Sequence, residues 1–162
     1  MSTAVTPSDT IHRFYTAFQE LDGDTMAACY APDCRFSDPV FPELRGPEVG
    51  AMWQMLCKRA KGFSLEYSGV EASGRRGQAH WEARYVFSTT GRTVHNIIEA
   101  RFEFNDSGLI VSHVDTFDLW RWTRQALGAP GVLLGWSGLV QNKVRATAAQ
   151  GLEQWMARDA AG

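Results

Sequence analysis

The sequence predicts an α+β fold in which helices come first and a meander of antiparallel strands follows. Three patterns carry this expectation: apolar residues at helical spacing up to Ala60, apolar residues in alternation between Phe63 and Leu119, and a return to interrupted helical patterning from Arg121. The alternating stretch is the most informative. In RTVHNIIEARFEFNDSGLIVSHVDTFDLW, Arg92 to Trp120, two strand-like runs meet at Asn105-Asp106-Ser107-Gly108, a tight-turn composition. Val94, Asn96, Ile98, Ala100, Phe102 and Phe104 share one face of the first run. Leu109, Val111, His113, Asp115, Phe117 and Leu119 share one face of the second, so a histidine and an acid stand in a row that otherwise reads as interior. Buried polar groups need partners, and buried charges need them more.

Each element has its own local justification. Ile11, Phe14, Tyr15, Phe18 and Leu21 recur at helical spacing, with Ser8 or Asp9 available as the cap. Asp22-Gly23-Asp24 interrupts that helix. Thr25 to Tyr30 reads as a short second helix, and Cys34 to Asp38 as a short strand stopped by Pro39. PVFPELRG is a proline-punctuated loop, after which Gly46-Pro47 opens a third helix with Val49, Met52, Trp53, Leu56 and Ala60 on one stripe. Phe63, Leu65, Tyr67 and Gly69 then alternate with polar residues. SGRRG reverses the chain into Ala79, Trp81, Ala83, Tyr85 and Phe87.

A turn centred on Thr89-Thr90 sets Tyr85 opposite Val94, Ala83 opposite Asn96 and Trp81 opposite Ile98. One centred on Asp106-Ser107 sets Ala100 opposite His113 and Ile98 opposite Asp115. All apolar rows then fall on one side of a four-strand meander. The other side carries His80, Glu82, Arg84, His95, Glu99 and Arg101 as cross-strand charge pairs.

The 162 residues suit a single domain, with 121–162 a helical C-terminal extension that either covers an open cavity or packs on a partner subunit. Sixteen Lys plus Arg against 18 Asp plus Glu give a formal charge of -2, without the long charged tract that nucleic acid or an anionic membrane would call for. A soluble, cytoplasmic protein is expected. Cys29, Cys34 and Cys57 fit no zinc spacing and are expected as buried free thiols. Six Trp, 9 Phe and 4 Tyr fill a core, line a pocket or form an interface.

The order of helices, loop and meander, together with YAPDCRFSDPVFPELRG at Tyr30 to Gly46, resembles the nuclear-transport-factor-2-like superfamily, and within it the SnoaL-like and ketosteroid-isomerase-like proteins. The resemblance covers about residues 8 to 120, with Asp38-Pro39 its best local mark. It implies a cone-shaped, cystatin-like fold, a curved antiparallel sheet wrapped around N-terminal helices, with a deep apolar cavity and frequent homodimers. Such proteins include isomerases, polyketide cyclases, epoxide hydrolases, dehydratases and noncatalytic binders. The isomerase's general base corresponds to Asp38, but its oxyanion tyrosine falls at Thr16, beside Tyr15, and its second acid at Ala100. Asp115 resembles the last-strand aspartate of the epoxide hydrolases, while Ile98 and Ala100 lack the matching arginine and acid.

The candidate catalytic residues are therefore Asp38, His113 and Asp115. Asp38 or Asp115 would take a carbon-bound proton or activate water, with His113 relaying a proton. Asn96 and the ring residues Tyr15, Trp53, Tyr67, Trp81, Tyr85, Phe102 and Phe117 are candidate substrate contacts. No HExxH, GxGxxG, Walker or GxSxG pattern occurs, so neither a metal nor a cofactor is expected. Three functions remain open: a cofactor-independent isomerase, cyclase or hydrolase acting on an apolar small molecule; a noncatalytic binder of such a molecule; and a dimeric association module.

Overall fold

A computed structural model describes residues 4–161. The N-terminal helix α1 (Pro7–Gln19) is capped by Thr6 rather than by Ser8 or Asp9. The Thr6 side chain accepts from the Asp9 amide at 3.1 Å while the Asp9 carboxylate accepts from the Thr6 amide at 3.2 Å, a reciprocal capping box. After α2 (Gly23–Ala28) the chain runs through β1 (Tyr30–Ser37) and the short β2 (Leu44–Arg45) into α3 (Pro47–Arg59). Three long strands follow, β3 (Ser64–Ser73), β4 (Arg76–Phe87) and β5 (Arg92–Phe104), and then β6 (Ile110–Thr116). The C-terminal part is α4 (Leu119–Leu127), α5 (Ala129–Leu134) and α6 (Gly138–Ala161).

The expected meander is the greater part of a six-stranded, curved, open sheet in the order β2-β1-β6-β5-β4-β3. Its two extra strands come from the region before the third helix. β1 begins at Tyr30, earlier than the expected strand, because Tyr30 pairs with Ile110 in a parallel ladder with β6. Pairing of β4 with β5 is as expected, with Tyr85 opposite Val94, Ala83 opposite Asn96 and Trp81 opposite Ile98.

The β5/β6 register differs from the expectation by two residues: Ala100 faces Asp115 and Phe102 faces His113. Two single-residue insertions account for it. The loop closes between Asn105 and Leu109, with Gly108 at φ +78 and the Asn105 side chain accepting from the amides of Ser107 and Leu109. A bulge then moves the pairing from Phe104↔Ile110 to Glu103↔Ser112. Each insertion alone would reverse the faces of β6; together they restore them.

The concave face of the sheet packs on α1 and α3 around Phe14. That ring lies edge-on to Tyr15, Tyr30, Trp53, Phe102 and His113, with centroids 5.0 to 6.3 Å away. Leu56, expected on the buried stripe of α3, is 38% exposed, and Met55 and Cys57 are buried instead. All three cysteines are buried and unpaired, as expected. On the convex face His80 bonds Glu82 and Glu99, and His95 bonds Glu82 at 2.7 Å, so four of the six expected residues form one connected row, while Arg84 and Arg101 form no ion pair among the described residues.

The C-terminal extension lies against its own chain. Leu152 of α6 joins the main core, and Arg59 of α3 sits over the Trp155 ring at 5.7 Å. Val144 packs with a smaller cluster formed by Val94, Leu119, Trp122 and Ala126. No helix among the described residues is long and apolar enough to cross a membrane.

Because Phe14 is fully buried among five rings, Phe14→Ala should lower unfolding stability by about 3–5 kcal/mol, measured by urea denaturation.

Candidate functional site

A cavity of about 390 Å³ opens between the concave sheet face, α3 and the loop after β1. Its walls are largely aromatic. Trp53, Trp81, Tyr85 and Phe117, four of the candidate substrate contacts, stand on its lining, joined by Phe18, Val40, Phe41, Phe63 and Trp122, which the sequence patterns did not single out as pocket residues. Asp38, Asn96 and Asp115 supply polar groups to the same space.

Asp38 stands where β1 gives way to the proline loop. Its Oδ1 accepts from the amides of Val40 at 2.7 Å and Phe41 at 2.6 Å, and its own amide donates to the Phe41 carbonyl, so one oxygen organises the turn. The other oxygen has no hydrogen-bond partner among the described residues. Burial raises the Asp38 pKa to about 7; the Phe41 amide opposes this, the nearby Asp115 charge adds to it and the Val40 amide opposes it again. The result is a carboxyl group that titrates near neutrality inside an apolar cavity.

Asp115 reaches the cavity from β6 and is held from behind. His113, two residues earlier on the same face, donates from Nε2 to Asp115 Oδ1 at 2.8 Å, and Trp81 Nε1 donates to the same oxygen at 3.4 Å. Tyr30 lies 2.7 Å from His113 Nδ1, and Trp53 Nε1 donates to the Tyr30 hydroxyl oxygen at 2.9 Å. An indole N–H can only donate, so the Tyr30 oxygen is the acceptor there and its proton is free for His113 Nδ1. Every group in the row is then matched when His113 carries its proton on Nε2. An imidazolium would leave the Tyr30 proton without an acceptor among these groups. Burial, with the Asp115 charge adding to it, raises the Tyr30 pKa well above its ordinary value and keeps that proton in place.

Asn96 and Tyr85 are among the cavity donors that remain uncommitted; Arg59, Ser88 and Thr89 also stand on its lining. Asn96 is only 7% exposed, yet its carboxamide makes no hydrogen bond among the described residues. The Tyr85 oxygen accepts from Trp122 Nε1 at 2.7 Å, which leaves its O–H free to donate toward the cavity. Burial raises the Tyr85 pKa, with the Asp38 charge acting in the same direction, so the hydroxyl stays protonated beside the carboxylate.

Four candidates do not line the cavity. His113 is completely buried, packed against the rings of Phe36, Trp53 and Phe102, and of the cavity-lining groups it bonds Asp115. Phe102 packs on His113 with centroids 4.2 Å apart. Tyr15 is fully buried and its hydroxyl has no hydrogen-bond partner among the described residues, while Tyr67 stacks on it and bonds His12 at 2.9 Å. The strand rows of Tyr67, Phe102 and His113 do face inward, but α1, which carries Tyr15, fills that end of the sheet. Tyr30 was hidden by the helical look of Thr25 to Tyr30, although its even-numbered parity with Cys34 and Phe36 was a usable signal. Trp122 had no comparable signal, because a helix folding back on the sheet is a long-range event. No cluster of three or more metal-ligating side chains occurs among the described residues.

Solved structures share this architecture. An LEH-like epoxide hydrolase of M. tuberculosis is 21% identical at a TM-score of 0.63, covering 81% of this chain and 96% of that one. A protein from Silicibacter sp. TM1040, provisionally assigned as a polyketide cyclase, is 20% identical at 0.63, covering 78% and 98%. A hypothetical protein from Catenulispora acidiphila with a ketosteroid isomerase-like fold, in complex with trimethylamine, is 13% identical at 0.66, covering 82% and 98%. At these identities the likeness is one of fold. No curated protein matches the sequence. The SnoaL-like domain pattern matches residues 11–113, well over half of the chain, and with the curved sheet and its cavity this places the protein in the SnoaL-like domain family.

Proposed function

We propose that the protein is a cofactor-independent acid/base enzyme, an isomerase or cyclase acting on an apolar carbonyl compound small enough for the cavity. The observation that carries this reading is Asp38. A carboxyl group with a pKa of about 7 and one uncommitted oxygen is poised to take and return a proton at working pH. Tyr85 and Asn96 offer hydrogen-bond donors in the same cavity.

In the proposed reaction, Asp38 removes a proton from the carbon beside the substrate carbonyl. The C–H electron pair moves into a C=C bond as the carbonyl oxygen gains negative charge. The Tyr85 hydroxyl and the Asn96 amide donate to that oxygen, which is where preorganised donors lower the barrier most. Protonated Asp38 then returns the proton to the γ-carbon of a β,γ-unsaturated substrate, the double bond moving into conjugation to give an isomer, or the enolate carbon bonds to a second carbonyl carbon, whose C=O pair moves onto oxygen, and Asp38 protonates the resulting alkoxide as the ring closes. Asp115 is the positioning and field-setting acid: its charge raises the Asp38 pKa, and His113 and Trp81 fix its orientation. His113 acts through Asp115 and does not touch substrate.

A second reading, a noncatalytic binder of the same class of molecule, is favoured by the turn-forming role of Asp38 Oδ1 toward Val40 and Phe41. Deuterium exchange separates the two. The protein is incubated in D2O with a panel of cyclic ketones and enones, and loss of the α-proton signal is followed by NMR. The expected result is exchange that rises with pH through an apparent pKa near 7 and is lost in Asp38→Asn by a factor of about 10²–10⁴. Tyr85→Phe should lower the rate by about 10²-fold. Ligand binding without exchange would select the binder.

The same variant has an opposite effect on stability. The folded pKa of Asp38 lies above the ordinary carboxylate value, so its contribution is fully favourable below about pH 4, declines as the unfolded chain ionises, and stays low above pH 7. Asn keeps the oxygen that accepts from Val40 and Phe41 while removing the buried charge. Asp38→Asn should therefore be more stable than wild type at pH 8 by roughly 2–4 kcal/mol and lose that advantage toward pH 4, in denaturation curves at both pH values.

A further inference from the structure

The segment from α5 to the start of α6 exposes a concentration of apolar side chains. Leu133 is 69% exposed, Trp136 64% and Leu139 83%, with Val132 and Leu134 more than half exposed. This tip is fixed to α4 rather than trailing from it. A Cβ on Gly131 would come within 1.9 Å of the Thr123 carbonyl oxygen, and one on Gly135 within 2.0 Å of the Thr123 hydroxyl, so these two glycines are what allow α5 to seat so closely. The seating turns the large residues between them outward.

Charge distribution says what covers them. Residues 119–150 contain Arg121, Arg124, Lys143 and Arg145 and no acid, in a chain whose formal charge is -2, so acids exceed bases by six in the remainder. None of the four cations forms an ion pair among the described residues: Lys143 is exposed, while Arg121 and Arg145 are half-buried and donate to the carbonyls of His95 and Pro39, each at 2.8 Å, with their charges unneutralised. Arg124 instead lies over the Trp120 ring at 4.4 Å. A symmetric contact between two copies through this tip would set unpaired cations against cations. An anionic surface would attract the tip and repel the rest of the molecule.

The backbone of the tip is also prepared for a medium that offers no hydrogen bonds. Trp136 Nε1 donates to the Leu133 carbonyl at 3.0 Å, the Ser137 amide and hydroxyl donate to that of Leu134, and Gln141 Nε2 donates to that of Gly135 at 2.9 Å. Three consecutive carbonyls at the turn, normally satisfied by water, are thus bonded within the chain, which removes the main cost of entering an apolar layer.

We infer that the α5–α6 tip docks on the surface of an anionic lipid bilayer, with Leu133, Trp136 and Leu139 in the interfacial layer and the cations of α4 and α6 against the headgroups. This is peripheral docking, and it departs from the expectation drawn from overall composition, which averages the basic segment against the acidic remainder. It is independent of the catalytic reading, although Trp122 of α4 lines the cavity and places an apolar compartment next to the docked element.

The test is co-sedimentation of the full chain with phosphatidylcholine vesicles containing about 30% phosphatidylserine, compared with phosphatidylcholine alone. Binding to the anionic vesicles is expected to exceed that to neutral ones by at least about tenfold, and to fall by a similar factor in the Leu133→Ser/Leu139→Ser variant. Lys143→Glu should weaken it by roughly fivefold or more. All three substitutions fall on exposed side chains, and thermal melts should match wild type. Absence of vesicle binding, or equal binding to both compositions, overturns the proposal. So does a dimer that the double variant converts to monomer while vesicles leave the protein in solution, since the tip would then be covered by a second copy.

Discussion

The buried carboxylate of Asp115 sets the terms for the rest of the structure. It is 3% exposed, and a charge so placed is tolerated only with donors at hand. Those donors come from β4 through Trp81 and from β6 through His113. His113 in turn requires Tyr30 from β1, and Tyr30 receives Trp53 from α3. A single polar row thus crosses from one side of the cavity to the other. The parallel pairing of β1 with β6, the seating of α3 and the position of Trp53 in the cavity wall are mutually consistent because that row must be complete.

The two acids of the cavity are held in different ways. Asp115 is bonded on one oxygen by side chains that reach it from behind; Asp38 is bonded on one oxygen by the backbone of its own turn. In both cases the second oxygen is left uncommitted. The polar row gives Asp115 two side-chain donors; at Asp38 burial, with the neighbouring charge adding to it, outweighs the turn amides and drives the carboxyl toward neutrality. Environment divides the roles of two chemically identical groups, and the charge of one tunes the other.

The sequence made much of this visible because period-2 alternation encodes faces directly. Asn96, His113 and Asp115 could be placed on the concave row without knowing which residues they oppose, and Trp81, Tyr85 and Phe117 were assigned to the wall on the same grounds. What periodicity cannot encode is depth along the face. His113 and Phe102 share the inward direction with Asp115 but lie beneath α1, so they are core, and Tyr15 and Tyr67 stack on one another there. The parallel β1/β6 ladder and the fold-back of α4 join residues far apart in sequence, which is why Tyr30 and Trp122 carried little local signal.

The paired insertions between β5 and β6 carry a consequence for how this hairpin can vary. The loop residue and the bulge residue each advance β6 by one position, and only their sum keeps His113 and Asp115 facing inward. Register at this corner is therefore quantised. With the sequence unchanged, losing one irregularity would rotate the whole strand and carry the acid out into solvent, whereas losing both would keep every side chain on its face and slide Asp115 from opposite Ala100 to opposite Ile98. Within this hairpin the acid can move along the cavity only in steps of about 7 Å, the span of two strand residues, and in no smaller increment.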